Sequence, residues 1–246
     1  MKLYFYAFSM CQSMFCSIPF PCHVWEEKAR GKMLLFLPVI GLEIGLIWSA
    51  FAALCGYFNL DSMIFALGMT LIPYVLTGFI HLDGFMDVTD AVGSCRDLEK
   101  RRAILKDSHV GSFAVIGIVI LLLSMFSLFA AIKPETNLWT LVLIPCISRT
   151  CAGIAVLTLP KMSTSQYHDQ AIPKSQIAFM TALLILFVIL EFVLFGIYGL
   201  CSLGCIAGCI LALRKGYRSL EGMNGDISGY SLTIGELAAV AVLAIL

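Results

Sequence analysis

Three aspartates stand at a spacing that places their side chains on one face of a helix. Asp83, Asp87 and Asp90 lie at positions i, i+4 and i+7, which share a face at 3.6 residues per turn. Like charges at this spacing repel by about 0.2–0.5 kcal/mol per pair, so a counter-charge is expected. Mg²⁺ prefers oxygen ligands of this kind. We therefore predict a magnesium site on Asp83, Asp87 and Asp90, with Gly84 allowing a ligand to approach the backbone.

Basic residues follow the aspartates closely. Thr77–Phe113 holds five aspartates, two histidines and five lysines or arginines in 37 positions. Cationic groups beside a carboxylate–metal site suit phosphoryl transfer, in which charge develops on the transferring oxygens. Adjacent Lys106 and Asp107 are the favoured catalytic pair, and Arg96 is a phosphate-binding candidate. The alternative role of this basic segment is contact with anionic lipid.

Two further groups of polar residues extend the candidate site. His81 and His109 bracket the acidic segment and are substrate-binding candidates, against the alternative of structural hydrogen bonding. A second polar segment, 214–230, carries Asn224, Gly225 and Asp226. We expect Asn224 and Gly225 to contact substrate and Asp226 to be a further metal ligand; the bare motif is otherwise typical of a tight turn.

The composition is that of a membrane protein. Of 246 residues, 60% are hydrophobic and 13% are charged, whereas soluble domains carry about 25% charged residues. We predict one all-α, polytopic membrane bundle of about six to seven transmembrane helices, forming a single domain over residues 1–246. Its apolar blocks are 33–58, 62–80, 110–132, 138–159, 177–196, 197–213 and a shorter block at 232–246.

Charge defines the partners and the orientation. The formal net charge is zero, which gives no indication of nucleic-acid binding. We expect membrane lipid to surround the protein, and homo-oligomerisation is left open. With a cytoplasmic N-terminus, 14 of the 16 lysines and arginines fall on the cytoplasmic side, as the positive-inside rule requires. The acidic segment, the loop near 160–176 and the segment 214–231 then share that side of the cytoplasmic (inner) membrane.

Some residues inside the apolar blocks call for partners. Burial of a charged side chain within the membrane costs free energy, and this applies to Glu43, Arg149 and Glu191. Either glutamate is a candidate partner for Arg149. A stripe of small residues predicts close helix packing rather than a metal site; it comprises Cys201, Gly204, Cys205, Gly208 and Cys209. We expect the N-terminal segment 1–21 to lie at the interface or insert partly, rather than act as a cleaved signal.

The ordered motifs resemble one enzyme family. HLDGFMDVTDAVG, then KRRAILKDSHVGSFAVIG, then GMNGDISGYSLTIGE resemble the adenosylcobinamide-GDP ribazoletransferases, also called cobalamin 5′-phosphate synthases. The likeness includes the N-terminal SIPFP and FLPVIGLEIG and the mid-chain Ile147-Ser148-Arg149. Departures fall at Ala91-Val92, Ser112, Ala114, Asn224 and 163–169, and they affect substrate loops rather than the acidic core.

The resemblance implies a membrane enzyme that needs Mg²⁺. It implies transfer of adenosylcobinamide phosphate from adenosylcobinamide-GDP (AdoCbi-GDP) to α-ribazole or its 5′-phosphate, with release of GMP. In the resulting hypothesis Asp83, Asp87 and Asp90, with Asp107 or Asp226, hold one or two ions. One aspartate acts as general base, and Arg149, Lys106 and Arg96 contact phosphate.

Two other functions remain open. The aspartate pattern is also similar to that of membrane CDP-alcohol phosphotransferases, although the Ala-Arg pair that follows their first Asp-Gly is absent; Met86-Asp87 follows Phe85 here. An ion-coupled transporter is the second alternative. It predicts acids deep within spans, where only Glu43 and Glu191 are found.

Overall fold

The computed structural model describes residues 2–163, 165 and 173–246. Over that part of the chain the regular structure is helical, which confirms the predicted all-α class. The α-helices are α1 (Lys2–Phe15), α2 (Glu27–Met33), α3 (Leu37–Tyr57), α4 (Ser62–Leu76), α5 (Ile80–Gly93), α6 (Leu98–Ile104), α7 (Ser112–Ala131), α8 (Ile144–Thr158), α9 (Lys174–Phe195), α10 (Leu200–Leu220) and α11 (Gly225–Ile245). About half of the predicted loop at 160–176, including most of the segment 163–169, lies outside the described residues.

The long apolar helices follow the predicted blocks. Five helical stretches within the described residues are long and apolar enough to cross a membrane, and a sixth is added if α4 and α5 count as one bent span. One of the five, Lys174–Leu220, contains both α9 and α10, each about 30 Å long at 1.5 Å per residue. The predicted turn between them is a 3₁₀ segment at Gly196–Gly199.

The last helix begins earlier than the sequence indicated. The predicted block at 232–246 is the end of α11, which starts at Gly225 because the Asn224 side chain accepts a hydrogen bond from the Ile227 N–H. An asparagine in this position caps a helix by pairing one of its free N–H groups. The polar segment 214–230 is therefore mostly helix, with Glu221–Asn224 as the turn between α10 and α11.

A sharp bend separates α4 from α5. The block predicted at 62–80 stops at Leu76, and the two helix axes meet at 93°. Gly78 and Phe79 form the bend in the left-handed region, with φ of +56° and +64°. The bend turns α5 out of the direction of α4 and lays it against α7 and α11.

Glycines allow α5 to lie close to its neighbours. A Cβ on Gly84 would lie 2.9 Å from the Asp226 Cα, and one on Gly229 would lie 3.0 Å from the His81 carbonyl oxygen. Real Cβ atoms essentially never come as close as the first distance. The α5–α11 contact therefore requires Gly84 to lack a side chain.

The small-residue stripe of α10 packs as predicted. A Cβ added at Gly208 would lie 2.7 Å from the Ala238 Cβ of α11, and Gly235 faces Cys205 and Cys209. All ten cysteines are free, and those of the stripe are buried in this helix contact. This confirms close packing as the role of the stripe.

The polar segments meet at one end of the bundle. The Met162 N–H donates to the Met223 carbonyl at 3.0 Å, and the Met223 N–H donates to the Pro160 carbonyl at 2.9 Å. Arg102, on α6, donates to the carbonyls of Leu220 and Glu221 at 2.9 and 2.8 Å. These contacts bring α6 and the ends of α8, α10 and α11 together.

Candidate active site

A cavity of about 280 Å³ lies between the end of α1 and helices α5, α8 and α11. One wall is apolar and includes Met14, Phe15, Leu34, Leu37 and Val156. The other wall gathers seven of the predicted site residues: His81, Asp83, Lys106, Arg149, Asn224, Gly225 and Asp226. Segments more than 140 residues apart in the sequence therefore meet in one polar-walled chamber.

Asp83 and Asp226 are the two acids that line this cavity within the described part of the chain. Asp83 is exposed in the first turn of α5, and Asp226 is half-buried in the first turn of α11. The Asn224 amide donates to the Asp226 carboxylate at 2.5 Å, which fixes the carboxylate while the other side of the amide caps the helix. Both carboxylates lie in the first turns of their helices, at the positive end of the helix dipole. This dipole stabilises negative side chains and bound anions.

Gly84 has a different role from the predicted one. It is buried and faces the Asp226 backbone rather than open space. The missing side chain thus serves the contact between the two acid-bearing helices, not the approach of a ligand. At Gly225 an added Cβ would meet nothing within 4 Å, so that position is open to the cavity.

The structure separates the three predicted metal-binding aspartates of α5. Asp87 and Asp90 do not line the cavity. Asp87 is half-buried and interacts electrostatically with Asp83, Asp226 and Asp90, so the four carboxylates form one acidic cluster. Asp90 turns towards α7, where its carboxylate accepts a weak hydrogen bond from the Ala114 N–H at 3.4 Å and lies against Gly111.

The acidic cluster fits a hard cation in its chemistry, but its side chains are spread. Carboxylate oxygens on neighbouring helices are suitable ligands for Mg²⁺, and Asp83 and Asp226 face the same chamber. Within residues 2–163, 165 and 173–246, no three His, Cys, Asp or Glu side chains are gathered closely enough to hold one ion. Mutual repulsion of like charges is a physical reason for carboxylates to point apart.

Arg149 is held in a buried ion pair. Its guanidinium donates to the Glu236 carboxylate at 2.6 Å, and the Ser148 hydroxyl donates to the same oxygen at 2.7 Å. Arg149 and Glu236 are 1% and 2% exposed. Neither glutamate predicted as a partner fills that role, because Glu43 accepts from Gln12 and Glu191 accepts from Thr140.

Arg149 and His81 each carry a buried nitrogen that has no hydrogen-bond partner among the described residues. The Arg149 Nε and the His81 Nε2 are buried without a hydrogen-bond partner in the described structure, and both residues line the chamber. The His81 ring stacks on Phe15 with ring centroids 5.9 Å apart. Buried polar groups normally have partners, so these two atoms are suited to contact a bound substrate.

The predicted basic segment is split between several roles. Arg101 and Arg102 donate to carbonyls at the end of α10, which positions α6. Lys100 pairs with Asp97, the residue that caps α6. Lys106 alone of the five lines the cavity, whereas Arg96 is exposed away from it.

Asp107 is separated from its predicted partner Lys106. The Asp107 carboxylate pairs with the His109 imidazole at 2.6 Å, and both side chains are exposed outside the cavity. This hydrogen bond lowers the pKa of Asp107 and raises the pKa of His109. The structure therefore joins Asp107 and His109 to each other, not to the chamber.

Sequence reasoning missed several contributors. Glu236 had a signal, because it ends the third of the quoted motifs, but nothing in the sequence identified it as the partner of Arg149. Met14 and Phe15 of α1 form a cavity wall, although the N-terminal segment was considered only for its insertion in the membrane. Ser228 also lines the chamber and carried no signal of its own.

Comparisons with known proteins identify the family of this chain. The chain matches the family described as cobalamin-5-phosphate synthase over residues 7–244. It is 34% identical to the adenosylcobinamide-GDP ribazoletransferase of Clostridium perfringens (strain SM101 / Type A) over 100% of both chains. It is 33% identical to that of Clostridium botulinum (strain Alaska E43 / Type E3), over 98% of this chain and 97% of the relative.

More distant relatives carry the same name. The adenosylcobinamide-GDP ribazoletransferase of Desulfitobacterium hafniense (strain Y51) is 30% identical over 89% of this chain and 88% of its own length. No solved structure matches this chain. A full-length match to the family and full-length relatives above 30% identity together show that this chain belongs to the cobalamin-5-phosphate synthase family of membrane transferases.

Proposed function

We propose that this chain transfers the adenosylcobinamide phosphate group of AdoCbi-GDP to α-ribazole or its 5′-phosphate, releasing GMP. The observation that carries the proposal is the single chamber that joins Asp83 and Asp226 with Lys106 and Arg149. Acids for a divalent cation and cations for phosphate oxygens are the two components that phosphoryl transfer needs. The relatives' names supply the identity of the donor and of the acceptor.

The cavity's size indicates which part of the donor it holds. A volume of about 280 Å³ is at the lower end for a small-molecule site. It suits a diphosphate with part of a nucleoside, not a whole corrinoid nucleotide. The corrinoid then lies outside the chamber, towards the membrane.

Mg²⁺ is the proposed cofactor, with Asp83 and Asp226 as its first ligands and Asp87 and Asp90 as further ones. When bound, the ion neutralises the diphosphate and the charge that develops on the departing GMP. Asp87 and Asp90 belong to the same acidic cluster, and they are the further carboxylates that would complete the coordination. Of these, Asp90 has a competing contact with α7.

The protein's own groups have defined tasks in the transfer. An acceptor hydroxyl oxygen forms a bond to the phosphorus attached to cobinamide, and the phosphorus–oxygen bond to GMP breaks, with GMP keeping the electron pair. Lys106 and the free Nε of Arg149 contact phosphate oxygens, and His81 Nε2 is a third polar contact. An aspartate carboxylate that is not fully engaged by the ion takes the hydroxyl proton.

Charge distribution supports a cytoplasmic active site. The chamber lies at the end of the bundle that carries α6 and the α10–α11 turn, and this is the end that the positive-inside rule assigns to the cytoplasm.

Cys95, exposed between α5 and α6, provides a test of this orientation. A membrane-impermeant maleimide is expected to label Cys95 in inside-out vesicles and not in right-side-out vesicles; a Cys95→Ser variant is the control.

The decisive experiment is a transfer assay in lipid nanodiscs. With AdoCbi-GDP, α-ribazole and Mg²⁺, the wild-type chain is expected to form adenosylcobalamin and one GMP per turnover. Asp83→Asn and Asp226→Asn are each expected to lower turnover by about 10²-fold or more, because charge stabilisation in a closed site contributes several kcal/mol. Asp61→Asn, at the cap of α4, is the matched control.

Two outcomes would contradict the proposal. One is near wild-type turnover in both cavity variants. The other is release of CMP from a CDP-alcohol, or substrate movement across the bilayer without bond cleavage, by a wild-type protein that forms no cobalamin.

A further inference from the structure

A second site adjoins the catalytic chamber. An open groove of about 520 Å³ lies between the end of α1 and the α4–α5 bend. It shares Met14, Ile80 and Asp83 with the chamber. Among the residues that the structure describes, Asp83 is the one charged residue that lines both, so the two spaces meet at a proposed metal-binding carboxylate.

The groove and the chamber differ in charge. Lys106 and Arg149 line the chamber, where the donor's diphosphate is proposed to bind. The lining of the groove among the described residues contains hydroxyl, thiol and apolar groups, with Asp83 as its one ionisable carboxylate and no lysine or arginine. The cationic side chains therefore favour the diphosphate in the chamber, and the groove, which lacks them, suits the less charged nucleoside.

The groove is preformed by hydrogen bonds between its two walls. The Ser17 N–H donates to the Leu76 carbonyl at 2.7 Å, and the Ser17 hydroxyl donates to the Val75 carbonyl at 2.9 Å. Thr77, at the base of the bend, donates to the Pro73 carbonyl at 3.1 Å. The two Ser17 contacts hold the end of α1 against the end of α4, the Thr77 contact fixes the end of α4 itself, and preformed walls reduce the cost of binding.

Phe79 presents an aromatic ring in this groove. Its backbone is left-handed, at φ +64°, a conformation that is a genuine outlier for a bulky residue. Phe79 as a whole residue is 51% exposed, and it belongs to the lining of the groove. Strained residues of this kind cluster at ligand-binding sites, and an exposed ring beside a groove is a stacking surface for an aromatic base.

We infer that this groove is the acceptor subsite, in which Phe79 stacks on the aromatic base of the nucleoside while its ribose reaches Asp83. The inference rests on the proposed function. In this arrangement the donor phosphorus in the chamber and the acceptor hydroxyl in the groove approach Asp83 from two sides. A transferase with two substrates needs both reactants held at one point, and the shared carboxylate provides it.

Steady-state kinetics with each substrate varied in turn test the assignment. Phe79→Leu keeps an apolar side chain but removes the stacking face. It is expected to raise the KM for α-ribazole by about fivefold or more and to leave the KM for AdoCbi-GDP within twofold. Ser13→Phe, which fills the exposed end of the groove, is expected to give the same one-sided change.

Three further variants separate a substrate contact from an effect on folding or membrane anchoring. Leu105→Phe, which narrows only the chamber, is expected to raise the KM for AdoCbi-GDP instead. Phe179→Leu removes an equally exposed ring from α9 and is expected to change neither KM. Phe79→Trp, which retains a stacking face, is expected to restore acceptor binding relative to Phe79→Leu.

The results that overturn the inference are distinct from those that overturn the proposed function. An unchanged acceptor KM in both Phe79→Leu and Ser13→Phe, or an equal rise in both KM values, removes the groove as acceptor subsite while transfer itself continues. A wild-type protein that forms no cobalamin and releases no GMP refutes the proposed function, which also removes the basis of this assignment.

Discussion

Helix α11 makes two close contacts that have the same construction and different consequences. Towards α5, Gly84 and Gly229 allow the backbones to approach, and the residues beside them are Asp226 and His81. Towards α10, Gly208 and Gly235 do the same, and the neighbours are Ala238 and Cys209. Small residues bring helices together in both places, so the site is distinguished by the polar side chains at the contact and not by the contact itself.

The largest expected effect concerns the buried ion pair between Arg149 of α8 and Glu236 of α11. Glu236→Gln leaves the Arg149 charge buried without its counter-charge, and we expect the free energy of unfolding to fall by about 3–5 kcal/mol. Denaturant or thermal unfolding in nanodiscs measures this. Glu191→Gln is the matched control: Glu191 is also fully buried but bonds a neutral threonine, so we expect a change of at most about 1 kcal/mol. Equal losses in the two variants would contradict this distinction.

Gly84→Ala tests the α5 side of the comparison. Its Cβ would meet the Asp226 backbone, which cannot rotate away as a side chain can, so α5 and α11 must separate. A displacement of about 1 Å at a catalytic group can reduce turnover about 10²-fold, and overpacking costs about 1–3 kcal/mol of stability. We expect a large loss of turnover together with only a modest fall in the unfolding midpoint. Unchanged turnover would show that Asp83 and Asp226 do not act together.

Gly204→Ala tests the α10 side. The nearest atom to its added Cβ is the Val242 Cγ2, at 2.7 Å, the end of a side chain that can shift. We expect a stability loss of about 1 kcal/mol with turnover within about threefold of wild type. A loss of activity as large as that of Gly84→Ala would mean that the α10 contact also positions the site.

The smallest effect is expected at the exposed pair of Asp107 and His109. The hydrogen bond raises the pKa of His109 and lowers that of Asp107. The hydrogen bond therefore contributes fully to the free energy of unfolding at pH values between the unfolded-state pKa of Asp107 and that of His109. It is lost as pH rises through the folded pKa of His109, or falls through that of Asp107. Because both groups are solvated, we expect no measurable shift in the unfolding midpoint.

Nuclear magnetic resonance of the His109 ring in wild type and in Asp107→Asn measures this prediction. The raised pKa is expected to return to the ordinary histidine value in the variant. His109→Gln is expected to retain transfer activity within about threefold. A large loss of activity would return Asp107 and His109 to the catalytic set that the sequence predicted.

Much of the fold followed from local properties of the chain. Apolar length predicted the spans, because a helix must satisfy its own backbone in lipid, and the glycine–cysteine stripe of α10 predicted a close contact. The bend at Gly78 and Phe79 was missed, since a bulky residue in the left-handed region carries no sequence signal. The start of α11 was also missed, because Asn224 was considered as a substrate contact or as part of a turn and not as a helix cap.

The site followed from the sequence only as a set of chemical groups. Residue type and spacing identified Asp83, His81, Lys106, Arg149 and Asp226, all of which line the chamber. Spacing along one helix could not separate Asp83 from Asp90, because both lie on the same face and the difference depends on which neighbouring helix each one meets. The pairing of Arg149 with Glu236 likewise joins α8 to α11, and no local pattern encodes such a contact.

The sequence by itself determined that this protein crosses a membrane, that its charges concentrate on one side and that it belongs with enzymes carrying the same acidic motifs. These properties depend on composition and on short-range spacing. Only the tertiary structure decided which acid faces the chamber, which cation is neutralised by a buried partner and where a second groove meets Asp83. Those outcomes depend on helix packing between segments far apart in the chain, which is set by the shapes of both surfaces at once.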